Sequence, residues 1–136
     1  MEETTLTIPS TATKVITVGA YDARFDQAAA FSGRGYTRAT NQVKPDLVAP
    51  GVEIMSCAPG GGYQVRTGTS MATPFVTGSA ALLMQWGIVN GNDAYLYGEK
   101  MKAYLIRGAR KLPGFTVYPN PVLGWGALCT ANSIPR

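Results

Sequence analysis

The stretch from Thr67 to Trp86, Thr-Gly-Thr-Ser-Met-Ala-Thr-Pro-Phe-Val-Thr-Gly-Ser-Ala-Ala-Leu-Leu-Met-Gln-Trp, constrains the fold more than any other. No charged residue occurs from Thr67 through Asn92. Pro74 cannot donate a backbone hydrogen bond to the Ser70 carbonyl four residues earlier. Proline is tolerated only near the start of a helix, so the helix must begin close to Ser70. Beyond it, Ala72, Phe75, Val76, Ala80, Leu83 and Met84 cover most of the helical circumference. A helix apolar nearly all round predicts a central, buried position.

That position gives Ser70 two readings. A serine at a helix N-terminus lies beside unpaired backbone N–H groups and the positive end of the helix dipole. Those donors can stabilise an oxyanion forming next to the hydroxyl, and Gly68 lets the backbone approach a substrate closely. The plainer reading is that Thr69 or Ser70 caps a core helix.

Several motifs bear on the choice. Gly68-Thr69-Ser70-Met71-Ala72-Thr73-Pro74 resembles the nucleophile motif of the subtilisin-like serine proteases. Val15-Ile16-Thr17-Val18-Gly19-Ala20, Phe31-Ser32-Gly33-Arg34-Gly35 and Lys44-Pro45-Asp46-Leu47-Val48-Ala49-Pro50-Gly51 are similar to three further elements of that family. Tyr118-Pro119-Asn120 and Gly124-Trp125-Gly126 resemble its closing segment. Order and spacing agree from about Pro9 to Ile134. Gln85-Trp86-Gly87 and the segment from Tyr104 to Arg110 are similar to the clostridial germination-type branch.

The resemblance implies an α/β fold, part of the subtilisin-like architecture: a mostly parallel sheet with flanking helices and a central buried helix. Residues 1–8 read as a tail, or an artefact at the start of the reading frame. Residues 9–136 read as the C-terminal part of a catalytic domain. The implied chemistry is peptide-bond hydrolysis by acyl transfer, with Ser70 attacking the scissile carbonyl. Gly68, Thr69, Arg66 and Phe31 are the implied substrate-binding residues, with Phe31 and Arg66 on the leaving-group side. Arg66 there would favour acidic or polar substrate residues; the simpler alternative is an arginine on a solvated rim. In this family a histidine takes the serine's proton and an aspartate orients the imidazole. The chain contains no histidine. In the family both partners lie upstream of the matched region, so Asp22, Asp26 and Asp46 are not triad candidates. The expected partners are a peptide or protein substrate and the missing N-terminal part of the domain. Without that part the chain is expected to be inactive. A non-catalytic scaffold that binds a protein partner is the competing reading. No cofactor is implied, although the family leaves room for calcium in an intact protein. A secreted or spore- and envelope-associated location also follows from the resemblance alone.

Composition narrows the field further. Hydrophobic residues make up 46% of the chain and charged residues 15%, the balance of a globular unit. The low charge content also hints at surface meant to be covered, and exposed apolar faces predict self-association. The net charge is +4, but the basic residues are scattered, which argues against nucleic acid. Lys100, Lys102, Arg107, Arg110 and Lys111 alternate with Met101, Tyr104 and Leu105 and read as a solvated helix face. The uncharged run contains Pro74, Gly78, Gln85 and several hydroxyls, a poor membrane span. Cys57 and Cys129 lie far apart with no metal-ligand spacing, and each reads as a buried thiol.

In chain order, Lys14–Tyr21 reads as an interior strand of a parallel sheet. Ala28–Ser32 and Asp46–Ala49 read as short extended pieces. Asp46 is expected to accept backbone N–H groups of its own loop. Val52–Ala58 and Tyr63–Thr67 flank Pro59-Gly60-Gly61-Gly62 and read as a hairpin. A second helix is expected over Ala94–Ala109, packing through Tyr97, Met101, Tyr104, Leu105 and Gly108. A short closing helix falls between Gly126 and Ser133.

Overall fold

The computed structural model describes residues 4–136. Met1-Glu2-Glu3 therefore lie outside the described residues. The architecture is α/β, as expected from the sequence. Its centre is a three-stranded sheet of β1 (Val18–Asp22), β2 (Gln27–Ala28) and β5 (Leu47–Pro50), in the order β2-β1-β5. β1 and β5 run parallel, with Val18 opposite Leu47 and Tyr21 opposite Pro50. β2 returns antiparallel to β1. The expected strand over Lys14–Tyr21 thus begins later, at Val18, where the ladder with β5 starts; Lys14 and Val15 ahead of it are exposed.

Both faces of the β1–β5 pair are covered, which is why its sequence is a continuous apolar run rather than an alternating one. Ala20, Leu47 and Ala49 face a cluster with Ala72, Val76 and Leu83 of α1 (Thr69–Met84), together with Leu96 and Leu105. On the other face Tyr21 and Val48 pack with Leu112, Leu123 and Ala127. Two small ribbons flank this core. β3 (Gly35–Tyr36) pairs with β4 (Val43–Lys44), and β6 (Ile54–Cys57) with β7 (Tyr63–Arg66), all antiparallel. The second is the hairpin expected around Gly60-Gly61-Gly62, whose three glycines all have positive φ.

α1 starts one residue before Ser70, where Pro74 requires. Its burial differs from the expectation. Only Ala72, Val76, Ser79 and Leu83 are buried, a single stripe. Phe75 is 42% exposed, Leu82 49% and Met84 45%. The apolar circumference has a sheet on one side and is largely open on the other among the described residues. A π-helical turn carries the helix through Gln85–Val89 to Asn90. Trp86 in that turn meets Tyr104 edge-on at 6.0 Å between ring centroids.

α2 is shorter than expected, Gly98–Gly108. Asp93, Leu96 and Gly87 form turn hydrogen bonds ahead of it, which consume the backbone groups that a longer helix would need. Leu105 and Gly108 face the interior and Met101 and Tyr104 are half-buried, whereas Tyr97 is exposed as the N-cap residue. α3 (Thr130–Ser133) closes the chain against α2, and a Cβ at Gly108 would meet Ser133 at 2.4 Å. Both cysteines are free, but Cys57 is exposed on β6, contrary to the expectation of a buried thiol, and Cys129 is half-buried.

Among the described residues ahead of Pro9, Thr5 is tied to the domain. The Thr5 N–H donates to the Arg34 carbonyl at 3.0 Å, and the Arg34 N–H to Thr5 Oγ1 at 2.9 Å.

Candidate active site

The approach to Ser70 is fixed by two glycines. Gly51, after β5, is buried; a Cβ there would meet Ala20 Cβ at 2.6 Å and the Gly68 carbonyl at 2.9 Å. With no side chain in the way, the Gly68 N–H donates to the Gly51 carbonyl at 2.8 Å. Gly68 itself holds φ 157° and ψ 163°, a region that essentially only glycine occupies, and is the N-cap of α1. The chain therefore turns sharply off the end of the parallel pair into the helix.

No side chain caps α1. This removes the plainer reading of Thr69 and Ser70, since neither hydroxyl is spent on the helix end. Ser70 is exposed as the second residue of the helix, and its side chain makes no hydrogen bond among the described residues. The first turn carries no acidic side chain; its Met71 N–H donates to the Gly68 carbonyl at 3.0 Å, while the Ser70 N–H and the positive dipole end remain available to an anion or developing oxyanion.

Ser70 borders an open cleft of about 400 Å³. Thr69, Thr73 and Phe31 line it with Ser70, and Leu6, Ser10 and Thr17 with their neighbours complete its lining. The structure thus brings Ser70, Thr69 and Phe31 together. Arg66 is exposed at the end of β7 and Gly68 precedes the helix, and neither lines the cleft. With its amide group turned over, Gln64 accepts from Arg66 Nε and Nη2, each at 2.8 Å. A second depression of about 310 Å³ lies on the other side of Ser70, formed by Ile54, Met55, Ser56, Met71, Pro74 and Phe75. Phe75, expected as packing inside the helix, forms part of this open surface.

Sequence reasoning missed the wall supplied by residues 5–10, because that polar stretch carries no motif. It also missed how the wall is held. Asp46 does not bond its own loop as expected. Its Oδ2 accepts the Thr17 N–H at 2.7 Å and the Lys44 ammonium at 2.7 Å, and its Oδ1 accepts Lys102 at 2.7 Å. Lys102 therefore leaves the basic surface expected for α2 and turns inward. Lys44 is 1% exposed and Asp46 5%. Burial pushes the Lys44 ammonium below the ordinary lysine range, against the pull of Asp46. The available signal was an aspartate between Lys44 and the apolar run Leu47-Val48-Ala49, since a buried carboxylate requires a cation.

Among the described residues no cluster of His, Cys, Asp or Glu could hold a metal ion. Three half-buried carboxylates have arginine or lysine partners instead. Arg24 holds Asp22 below the usual carboxylate range, Arg110 does so for Asp26, and Lys100 for Asp93.

Comparison with known proteins places this geometry. The model of the subtilase family matches residues 1–126. The serine protease AprX of Bacillus subtilis is 35% identical, over 96% of this chain and 32% of its own length. A subtilisin of Bacillus pumilus is 42% identical over 59% of this chain and 26% of its own. Among solved structures, the CspB protease of Clostridium perfringens superposes with a TM-score of 0.90 at 48% identity, covering 95% of this chain and 27% of that one. The self-cleaved protease domain of PatA gives 0.71 at 30% identity. The chain therefore spans about a third or less of AprX, the Bacillus pumilus subtilisin and CspB. On its sequence, its α/β architecture and these relatives, the chain belongs to the subtilase family.

Proposed function

We propose that these 136 residues are the nucleophile-bearing part of a serine endopeptidase. Ser70 attacks the scissile carbonyl, forming an acyl-enzyme that water then hydrolyses. The backbone N–H of Ser70 supplies one contact to the oxyanion of the tetrahedral intermediate. The observation that carries the reading is the exposed, uncommitted Ser70 hydroxyl at an uncapped helix N-terminus beside a cleft. The peptide segment around the scissile bond lies along that cleft, with Phe31 and Thr69 against it. The base that accepts the Ser70 proton comes from polypeptide beyond these residues, since the chain has no histidine.

Without a base a serine hydroxyl is a weak nucleophile at neutral pH, and much of the binding surface is absent as well. The 136-residue chain alone is accordingly inactive. A fluorophosphonate probe tests both halves of this reading. It should leave the isolated chain unlabelled on the timescale that labels the longer gene product. Ser70→Ala in that longer product should abolish labelling and peptide hydrolysis. Rapid labelling of the isolated chain would refute the missing-base argument. A longer product that stays unlabelled and hydrolyses nothing would favour the non-catalytic scaffold, the reading suggested by the lack of histidine.

A further inference from the structure

Two main-chain oxygens of one segment and one carboxylate converge behind the cleft wall. The main-chain oxygens of Thr13 and Val15 and both oxygens of Asp46 point at two ammonium groups. Lys102 Nζ donates to Thr13 O at 3.1 Å, Val15 O at 3.0 Å and Asp46 Oδ1 at 2.7 Å. An ammonium has three N–H donors, so Lys102 is fully used. Lys44 Nζ donates to the same Val15 oxygen at 3.1 Å and to Asp46 Oδ2 at 2.7 Å. Backbone carbonyls and a carboxylate are the donor set that hard cations such as calcium choose. Here the chain supplies the positive charge itself. The fit to a metal is poor for a second reason: Asp46 is the single carboxylate of the cage, and both of its oxygens are already taken.

The location gives the cage a role. Ile16, Thr17 and Val18 line the cleft next to Ser70, as do Ser10 and Pro45. Thr17 is held at its N–H by Asp46 Oδ2, while its hydroxyl donates to the Ser10 carbonyl. Lys102 comes from α2 and Lys44 from the end of β4, so the two ammonium groups pin residues 13–17 between a helix and the β3–β4 ribbon.

We propose that Lys44 and Lys102 act as a built-in cation pair that positions the residue 13–17 wall of the cleft, in the place where a bound metal ion would otherwise be required. The claim concerns the fold of this chain and does not depend on Ser70 being a nucleophile. Two consequences follow. The wall keeps its shape in the absence of calcium. Removing an ammonium exposes an oxygen cage that a free cation can enter.

Thermal unfolding of the chain in millimolar calcium and in excess EDTA tests the first consequence. The two midpoints should agree to within about 1 °C, because a ligand stabilises only what it binds. A clear rise with calcium that Asp46→Asn abolishes would overturn the proposal, since the cage would then be a metal site. The second test uses Lys102→Met, which keeps the alkyl stem, and Lys102→Arg, which keeps the charge. Lys102→Met should lower the midpoint by roughly 10 °C, the size expected for breaking a buried ion pair. Millimolar calcium or sodium should restore part of that loss, and Lys102→Arg should need less restoring. A Lys102→Met protein that loses stability but gains nothing from any cation would show an ordinary buried salt bridge and overturn the idea. If Lys102→Met does not fold, the wild-type comparison in calcium and EDTA still decides.

Discussion

At the scale of single residues, small groups decide where the chain can go. Gly51 and Gly68 meet through one backbone hydrogen bond, and that contact aims the start of α1 at the cleft. Several charged residues outside the buried cage are paired at the surface. Arg110 grips Asp26 through both nitrogens, at 3.1 and 2.7 Å, and joins the turn after β1 to the segment after α2. The guanidinium holds the Asp26 carboxyl below its usual range. A carboxyl lowered on folding favours the native state above its unfolded value of about 4, and the benefit vanishes as pH falls through the lower folded value. The stability gap between the wild type and Asp26→Asn should therefore be present near neutral pH and close below about pH 4. Unfolding midpoints of both proteins across an acid series check this; a gap that widens toward acid would refute it.

At the scale of elements, α1 separates its apolar residues into two populations that the sequence does not distinguish. Leu83 is fully buried against the sheet, whereas Leu82, its neighbour, is 49% exposed. Leu83→Ala removes packed methyl groups and leaves a cavity, at a cost of about 2–5 kcal/mol. Leu82→Ala removes partly solvated ones and should cost less than about 1 kcal/mol in the isolated chain. Urea titrations of the two variants measure the difference, and equal losses would show that α1 is enclosed on both sides in solution. The start of this helix was legible from Pro74 alone. The early start of the expected second helix was not, because residues 94–97 have helical spacing but spend their backbone groups in turns around Asp93.

At the scale of the whole molecule, the uncovered side is apolar. Phe75, Leu82 and Met84 of α1 and Met55 and Val65 of the hairpin are all exposed. AprX and CspB are about three times as long as this chain or longer. Contiguous apolar surface of this kind drives association when nothing covers it. The isolated chain should self-associate in a concentration-dependent way by light scattering, and the longer gene product should do so less. A monomer at high concentration would count against this.

The sequence by itself determined the local events: the helix start close to Ser70, the glycine-rich hairpin, a brief strand within Asp46–Ala49, and the serine motif that led to the family. Each depends on backbone chemistry or on spacing within a few residues, which a linear pattern records. The tertiary structure decided the rest. Lys102 lies in a polar stretch and reads as a surface residue, yet it crosses to Asp46 and two carbonyl oxygens. Residues 5–10 carry no motif, yet they form a wall of the cleft. α1 is apolar all round, yet only one stripe is covered. Burial and ion pairing depend on what the rest of the polypeptide brings alongside, and distant segments meet only when the chain is folded.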